Sequence, residues 1–442
     1  MAHEPWMAGL IVVAVNRMPA ADVEVSADLV RWLLADQHPD LARLPVEFLA
    51  NGWDNELYRV GDELIARLPR RALGAEIIKN EQRWLPGLAP QLPLPIPYPE
   101  RTGVPACGYP YSWSVVPYLP GVPAAQASSF DPAGAAAAVG GFLGALHVPA
   151  PADAPANPYR GIPLAERAGN YAANLALLTG QADQRRVDRD AVLRVQDAAL
   201  AAPGYDGPPL WLHGDLHPAN ILVNDGQVSA VIDFGDITAG DPASDLSVAW
   251  MLLPPGCHAS FWSAYQVAGS SWGSWVRVDD ALRARARGWA LNLAIAFLAH
   301  SEDNPVILEI GRRTLRTVLE DQRGTSRVKS RAAGRGTAAA PPASRGMRQC
   351  LPRPRTSSLP RSPTAFRSPG RRTRFWPPER DGISTGPWHG QPCGGGRQPT
   401  TLIPRACSAR PRVLWRTFPP DFRFDDGAEH EAGRFAELSS AS

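Results

Sequence analysis

Between His213 and Asp236 the chain reads HGDLHPANILVNDGQVSAVIDFGD, a passage dense in groups that could do chemistry. Asp215 lies in a polar loop behind the apolar run Leu210-Trp211-Leu212. Asn220, five residues later, leads into a second apolar strand, and a turn at Asn224-Asp225-Gly226 returns the chain to Asp233 at the end of a third. Asn220 and Asp233 therefore flank one spot with hard oxygen donors, a set that suits Mg²⁺. Asp215 faces the same spot, free to orient a hydroxyl and take its proton.

This spacing matches the H-x-D-x-x-x-x-N and D-F-G arrangement of protein kinases, in which the first Asp is the base and Asn and the second Asp hold Mg²⁺. The fuller wording, HGDLHPANILV, IDFGD and GDPASDL, resembles the aminoglycoside phosphotransferase family, the small-molecule-kinase branch of that fold. The resemblance runs from about Ala20 to Asp321. It includes NGWDNELYRVGDELIARLPRR, EQRWLPGLAPQLPLPIP, GYPYSWSVVPYLPG and FLGALH, in order. It implies ATP, with GTP as the alternative, and Mg²⁺ as cofactors, and a small-molecule hydroxyl as acceptor. By the same resemblance Asp215 is the catalytic base, Asn220 and Asp233 are the metal ligands, and His213 buttresses the catalytic loop. His217, two residues after the base, is read either as a phosphate contact or as a structural loop histidine. Asp241 and Asp245 are expected to fix the loop and cap the next helix rather than to do chemistry.

Two features depart from the kinase pattern. No G-x-G-x-x-G is present, so the segment containing Gly52 and Asn55 must cover the phosphates. The strand lysine is also missing; Arg67 takes its place, keeping the charge but not its compact geometry. Arg67 is expected to clamp the nucleotide with Glu81 as its helix partner, against the alternative of a solvated surface pair. Residues 113–117, with Val115 and Val116, are the expected adenine hinge.

The elements that must position these residues are legible in outline. Ser26 is a plausible N-cap for a helix through Leu29, Val30, Leu33 and Leu34, stopped by Pro39. A strand over 45–50, a hairpin over 56–68, a helix over 72–88 and a strand over 111–116 follow. Beyond Pro132 the pattern is helical at 135–147, 163–179, 190–202, 242–252, 279–300 and 303–320, interrupted by the β-rich passage that carries the motif. The fold class is α+β and bilobal. Residues 1–17 form an N-terminal extension, 18–118 a nucleotide-binding lobe, 119–323 a catalytic lobe and 324–442 a disordered tail. Trp250, Trp262, Trp272, Trp275 and Trp289 read as core rather than as a substrate pocket.

Charge supports this division. The formal net charge of +2 combines a body, residues 1–324, holding 24 Arg and Lys against 35 Asp and Glu, with a strongly basic stretch and an acidic end, residues 421–442, holding 2 against 6. Residues 325–420 hold 19 Arg and Lys against 2 acidic residues, together with 16 prolines that oppose helix and sheet alike. An acidic body suits a cationic acceptor such as an aminoglycoside. Two other readings stand beside the kinase: a non-catalytic nucleotide-binding pseudokinase, and a binder of nucleic acid or an anionic surface acting through the basic tail. That tail also fits read-through coding. No apolar run approaches membrane-spanning length, and five scattered cysteines form neither a disulfide framework nor a zinc site. The expected protein is cytoplasmic and monomeric, with no membrane partner and no nucleic acid for the folded body.

Overall fold

The computed structural model describes residues 20–180, 188–271, 273 and 275–335. The expectations for residues 1–17 and for 336–442 lie outside the described residues.

Helix α1 (Ala27–Gln37) forms where Ser26 Oγ accepts the Leu29 N–H at 3.2 Å, and it buries Leu29, Val30, Leu33 and Leu34. That stripe packs with Tyr58, Val60, Leu68 and Val115 from a five-stranded antiparallel sheet. Burying each such leucine contributes roughly 1.5–3 kcal/mol. The strands are β1 (Val46–Asn51), β2 (Asn55–Val60), β3 (Leu64–Pro69), β4 (Arg101–Gly103) and β5 (Trp113–Pro117), in the order β1-β2-β3-β5-β4. Helix α2 (Ala72–Leu88) joins β3 to β4 and buries Ile78, Glu81 and Leu85. Strand β4, three residues long, was not legible in the Pro-rich sequence around it. It fits against β5 because residue 103 is glycine: a Cβ there would overlap the Trp113 indole.

The rest of the chain is mainly helical around a second core. It comprises β6 (Val122–Pro123), α3 (Pro132–Leu146), α4 (Ala168–Gly180), α5 (Arg189–Leu200), β7 (Leu210–Leu212), β8 (Ile221–Asn224), β9 (Gln227–Val231), β10 (Thr238–Gly240), α6 (Ala243–Leu246), α7 (Val248–Leu252), α8 (His258–Ser270), α9 (Asp280–His300) and α10 (Pro305–Arg335). Strands β6-β8-β9 form one small sheet and β10-β7 another. Asp131 and Asp279 cap α3 and α9 through their carboxylates.

Three expectations need correction. The sequence His258–Ser270, rich in Ser and aromatics, was not among the expected helices, yet it forms α8. It does so by packing on α3, where Gly140 and Gly144 let the α8 backbone approach: a Cβ on either would lie 2.5 Å from the Phe261 or Tyr265 carbonyl oxygen. The helix expected over 242–252 is split at Ser247 into α6 and α7. Helix α10 runs past Gly324 to Arg335, into residues expected to be disordered; no proline interrupts that stretch until Pro341. Trp250, Trp262 and Trp289 are core residues as expected, whereas Trp275 is 46% exposed and lines a cavity of about 210 Å³ with His147, Tyr265 and Arg277. Trp272 lies outside the described residues.

Candidate active site

Strand β7, wholly buried, delivers the chain to His213 and Gly214. Gly214 adopts φ +86°, and a Cβ there would overlap the Asp236 carbonyl oxygen, so both conformation and space demand glycine. The Asp245 carboxylate accepts the amides of His213 (2.7 Å) and Gly214 (3.0 Å), one on each oxygen, and His147 Nε2 lies 3.4 Å from Oδ2. Asp241 is held by Arg285 Nε at 2.8 Å and accepts the Ala243 N–H at 3.0 Å. Both acidic residues thus fix the loop and the following helix, as their positions suggested. His213 Nδ1 accepts the Asp215 N–H at 3.2 Å while Nε2 meets the Ile232 carbonyl at 3.0 Å, which requires the neutral Nε2–H tautomer. Burial lowers its pKa in the same sense. Gly214→Ala should therefore cost about 1–3 kcal/mol of strain beyond the steric overlap, measurable as a lower Tm with loss of transfer activity.

Asp215 is 5% exposed. Its Oδ1 accepts from Arg160 Nη2 at 3.0 Å, and His217 Nε2 lies 3.3 Å from Oδ2. His217 Nδ1 accepts the Ala219 N–H at 3.2 Å, which places the ring proton on Nε2, facing Asp215. The ring is buried and edge-on to Phe297, and it braces the carboxylate from the inner side of the loop. Burial alone would raise the Asp215 pKa. His217, then Arg160 and His213, outweigh burial and hold the carboxyl well below the usual carboxylate range. Asn220 Nδ2 donates to the Asp215 carbonyl at 2.9 Å, and its own carbonyl accepts the Ile232 N–H at 2.9 Å. With Nδ2 engaged, Oδ1 is the donor atom this side chain offers a metal.

Asp233 follows directly at φ +68°, a left-handed conformation unusual for a non-glycine residue. Its carboxyl is pushed up to about 8, by burial first and then by Glu81, Asp215 and Asp236, against the opposing pull of Arg67. Asp236 is raised to about 6, again mainly by burial and with Arg160 opposing; its Oδ1 accepts from Asn157 Nδ2 at 2.7 Å. A carboxylate this poorly compensated calls for a cation, and the oxygen donors of Asn220 and Asp233 fit a hard divalent one. No cluster of three or more His, Cys, Asp or Glu among the described residues could hold a metal by itself. Mg²⁺ does not need one, because it commonly takes one or two carboxylates together with substrate phosphates and water.

On the sheet side, Arg67 of β3 pairs with Glu81 of α2 at 2.9 Å. The side chains are only 11% and 1% exposed, so this is a buried pair and not the solvated surface pair weighed above. Burial raises the Glu81 pKa against the pull of Arg67. Arg67→Ala should thus destabilise the protein by roughly 3–5 kcal/mol, read by thermal unfolding, and weaken nucleotide binding, read by calorimetry. Gly52 N–H donates to the Asn55 carbonyl at 2.8 Å, closing the β1–β2 turn. Arg71 holds Asp54 at 2.5 Å, and Arg70 Nη1 donates to Asn51 Oδ1 at 3.0 Å, so the turn is tied to the end of β3. In β5, Val115 and Val116 are buried; the Val115 carbonyl accepts the Glu100 N–H at 2.9 Å, and Gln82 Nε2 donates to the Trp113 carbonyl at 2.8 Å.

The structure therefore gathers Asp215, His213, His217, Asn220 and Asp233 around one loop and places Arg67 close enough to influence Asp233. The sequence reading missed Arg160 and Asn157, which reach the same centre from residues 157–161. Their only advance signal was a lone arginine between the turn formers Asn157-Pro158 and Gly161.

An antiparallel sheet with one crossing helix, followed by a helical region whose small strands carry Asp215, Asn220 and Asp233, defines the protein-kinase-like class. The chain belongs to the phosphotransferase enzyme family, whose model matches residues 45–289. It is a phosphotransferase. Among solved structures it is similar to the GDP complex of wild-type aminoglycoside 2'-phosphotransferase-IIIa, with 19% identity, 67% of this chain and 100% of that chain covered, and a TM-score of 0.47. It is also similar to a macrolide 2'-phosphotransferase from Brachybacterium faecium, with 22% identity, coverage of 65% and 97%, and a TM-score of 0.43. A third is the streptomycin–ATP ternary complex of APH(2")-IIa, at 15% identity, coverage of 65% and 95%, and a TM-score of 0.42. No curated protein sequence matches the chain.

Proposed function

We propose that this phosphotransferase moves the γ-phosphoryl group of Mg²⁺-bound ATP to the hydroxyl of a small molecule, with GTP as the alternative donor. The observation that carries this reading is the convergence of Asp215, Asn220 and the under-compensated Asp233 beside the buried Arg67–Glu81 pair. Asp215 accepts a hydrogen bond from the acceptor hydroxyl and aims its oxygen at the phosphorus. Its low basicity makes it an orienting group first and a proton acceptor as the new bond forms. Asn220 and Asp233 hold the metal, which neutralises charge on the phosphate oxygens when bound. Arg67, kept in place by Glu81, meets the donor phosphates, and the turn over Gly52 and Asn55 covers them. In this reading residues 18–118 serve the nucleotide and 119–323 the acceptor, in a cytoplasmic monomer; no described helix is long and apolar enough to cross a membrane. The acidic body favours a cationic alcohol such as an aminoglycoside.

The test is ADP release by the full-length protein with Mg²⁺-ATP, measured against a panel of sugars, amino alcohols, aminoglycosides and macrolides. Alcohol-dependent release supports the reading. Nucleotide binding with no release in the presence of any alcohol favours the pseudokinase alternative.

A further inference from the structure

Arg160, the partner of Asp215, lies outside the motifs that carry the resemblance, and residues 155–161 are built to present it. Thr238 Oγ1 donates to the Pro155 carbonyl at 2.9 Å. Asn157 Oδ1 accepts the Tyr159 N–H at 2.8 Å, folding the segment back on itself, while Asn157 Nδ2 holds Asp236. Gly161, at φ +68°, gives its carbonyl to the Asp241 N–H at 2.8 Å; a Cβ there would lie 2.7 Å from Leu212 Cδ1 and 3.2 Å from Gly240 Cα. Three hydrogen bonds thus pin the segment to residues 236–241, in and beside β10, and Arg160 is directed from it onto Asp215 Oδ1. Arg160 is 8% exposed, so its charge acts where water screens it little.

Resting on the kinase reading above, we propose that Arg160 is a positioning residue for phosphoryl transfer. Arg160 and His217 divide the two oxygens of Asp215 between them, and so fix the rotation of the carboxylate plane. A carboxylate held at one oxygen pivots about its Cβ–Cγ bond; one held at both presents its remaining lone pairs in a single direction. That direction decides where an acceptor hydroxyl sits, and a displacement of about 1 Å at a reacting atom can cost on the order of 100-fold in rate. Asn157 extends the same restraint to Asp236, so one short segment aligns the acceptor-orienting carboxylate with the chain that follows the metal-binding strand end. A guanidinium suits the task because its planar fork fixes direction as well as charge, which an ammonium does not.

The experiment compares wild type, Arg160→Gln and Arg160→Lys as full-length proteins. Steady-state transfer is measured with the best alcohol of the panel and, as a baseline, with water as acceptor. Calorimetry supplies the Kd for Mg²⁺-ATP. Arg160→Gln should lower kcat on the order of 10- to 100-fold while the nucleotide Kd stays within about twofold, a split that general unfolding does not produce. Arg160→Lys should recover part of the loss, since it restores charge without the fork. Undiminished kcat in Arg160→Gln overturns the proposal. So does a loss of nucleotide binding in step with kcat in both variants, which marks a purely structural residue. A wild-type protein that binds Mg²⁺-ATP but transfers to neither water nor any alcohol overturns the kinase reading and this inference with it. Wild-type transfer with an unaffected Arg160→Gln overturns the inference alone.

Discussion

Asp215→Asn is expected to reduce phosphoryl transfer by about 10²–10⁴-fold while leaving Mg²⁺-nucleotide affinity nearly unchanged. The substitution keeps the shape of the side chain and leaves the loop anchored, because the Asp245 bonds to the His213 and Gly214 amides and the Asn220 bond to the residue 215 carbonyl use other atoms. What it removes is the negative charge that receives the acceptor's proton and balances Arg160. A stability effect follows with a definite sign. The folded-state pKa of Asp215 lies below its unfolded value, so its contribution is present above the usual carboxylate pKa and is lost as pH falls through the lower folded value. At pH 7 the Asn variant should consequently melt several degrees below wild type, because Arg160 stays buried without its anion. The two effects separate by measurement: kinetics reads the first and thermal unfolding the second.

Asp233→Asn should abolish metal-dependent nucleotide binding and, with it, essentially all transfer. In the metal-free protein, however, it should raise stability at alkaline pH. The Asp233 carboxyl is pushed up to about 8, far above its unfolded value, so the folded state binds more protons than the unfolded state between roughly pH 4 and 8. Stability therefore falls as pH rises through that window, and Asp236, raised to about 6, adds to the fall in its lower part. Melting curves of metal-free wild type from pH 5 to 9 should show a declining Tm. Mg²⁺ with nucleotide should flatten the decline, since a ligand bound only by the folded form stabilises it. Asp233→Asn should flatten its upper part, above about pH 6, without any metal and leave the share due to Asp236. A wild-type Tm independent of pH and of Mg²⁺ would contradict the assignment of this carboxylate as a cation site.

The chemical core of the site was legible because its residues are close in sequence: strand, loop, strand, turn and strand bring Asp215, Asn220 and Asp233 together through local connections alone. The Arg67–Glu81 partnership was also readable, since an arginine in β3 and an acidic residue on the next helix fall within reach of each other. Other parts depend on distant contacts. Arg160 meets Asp215 only because Gly161 and Gly240 permit close backbone approach, and no periodicity announces that. Helix α8 is made by its packing against two glycines of α3, a tertiary effect that overrides weak propensity. For His217 the sequence left a phosphate contact and a structural loop histidine open; its place against Asp215 depends on the Ala219 amide and the distant Phe297 ring.

The central claim, that Asp215, Asn220 and Asp233 form a working phosphoryl-transfer site, is tested most directly by ³¹P NMR of the reaction mixture. Full-length wild type and Asp215→Asn are each incubated with Mg²⁺-ATP and the alcohol panel. The account predicts a new phosphomonoester resonance, with stoichiometric ADP, for wild type and at most a trace for the variant. Product formed equally fast by both proteins would contradict it.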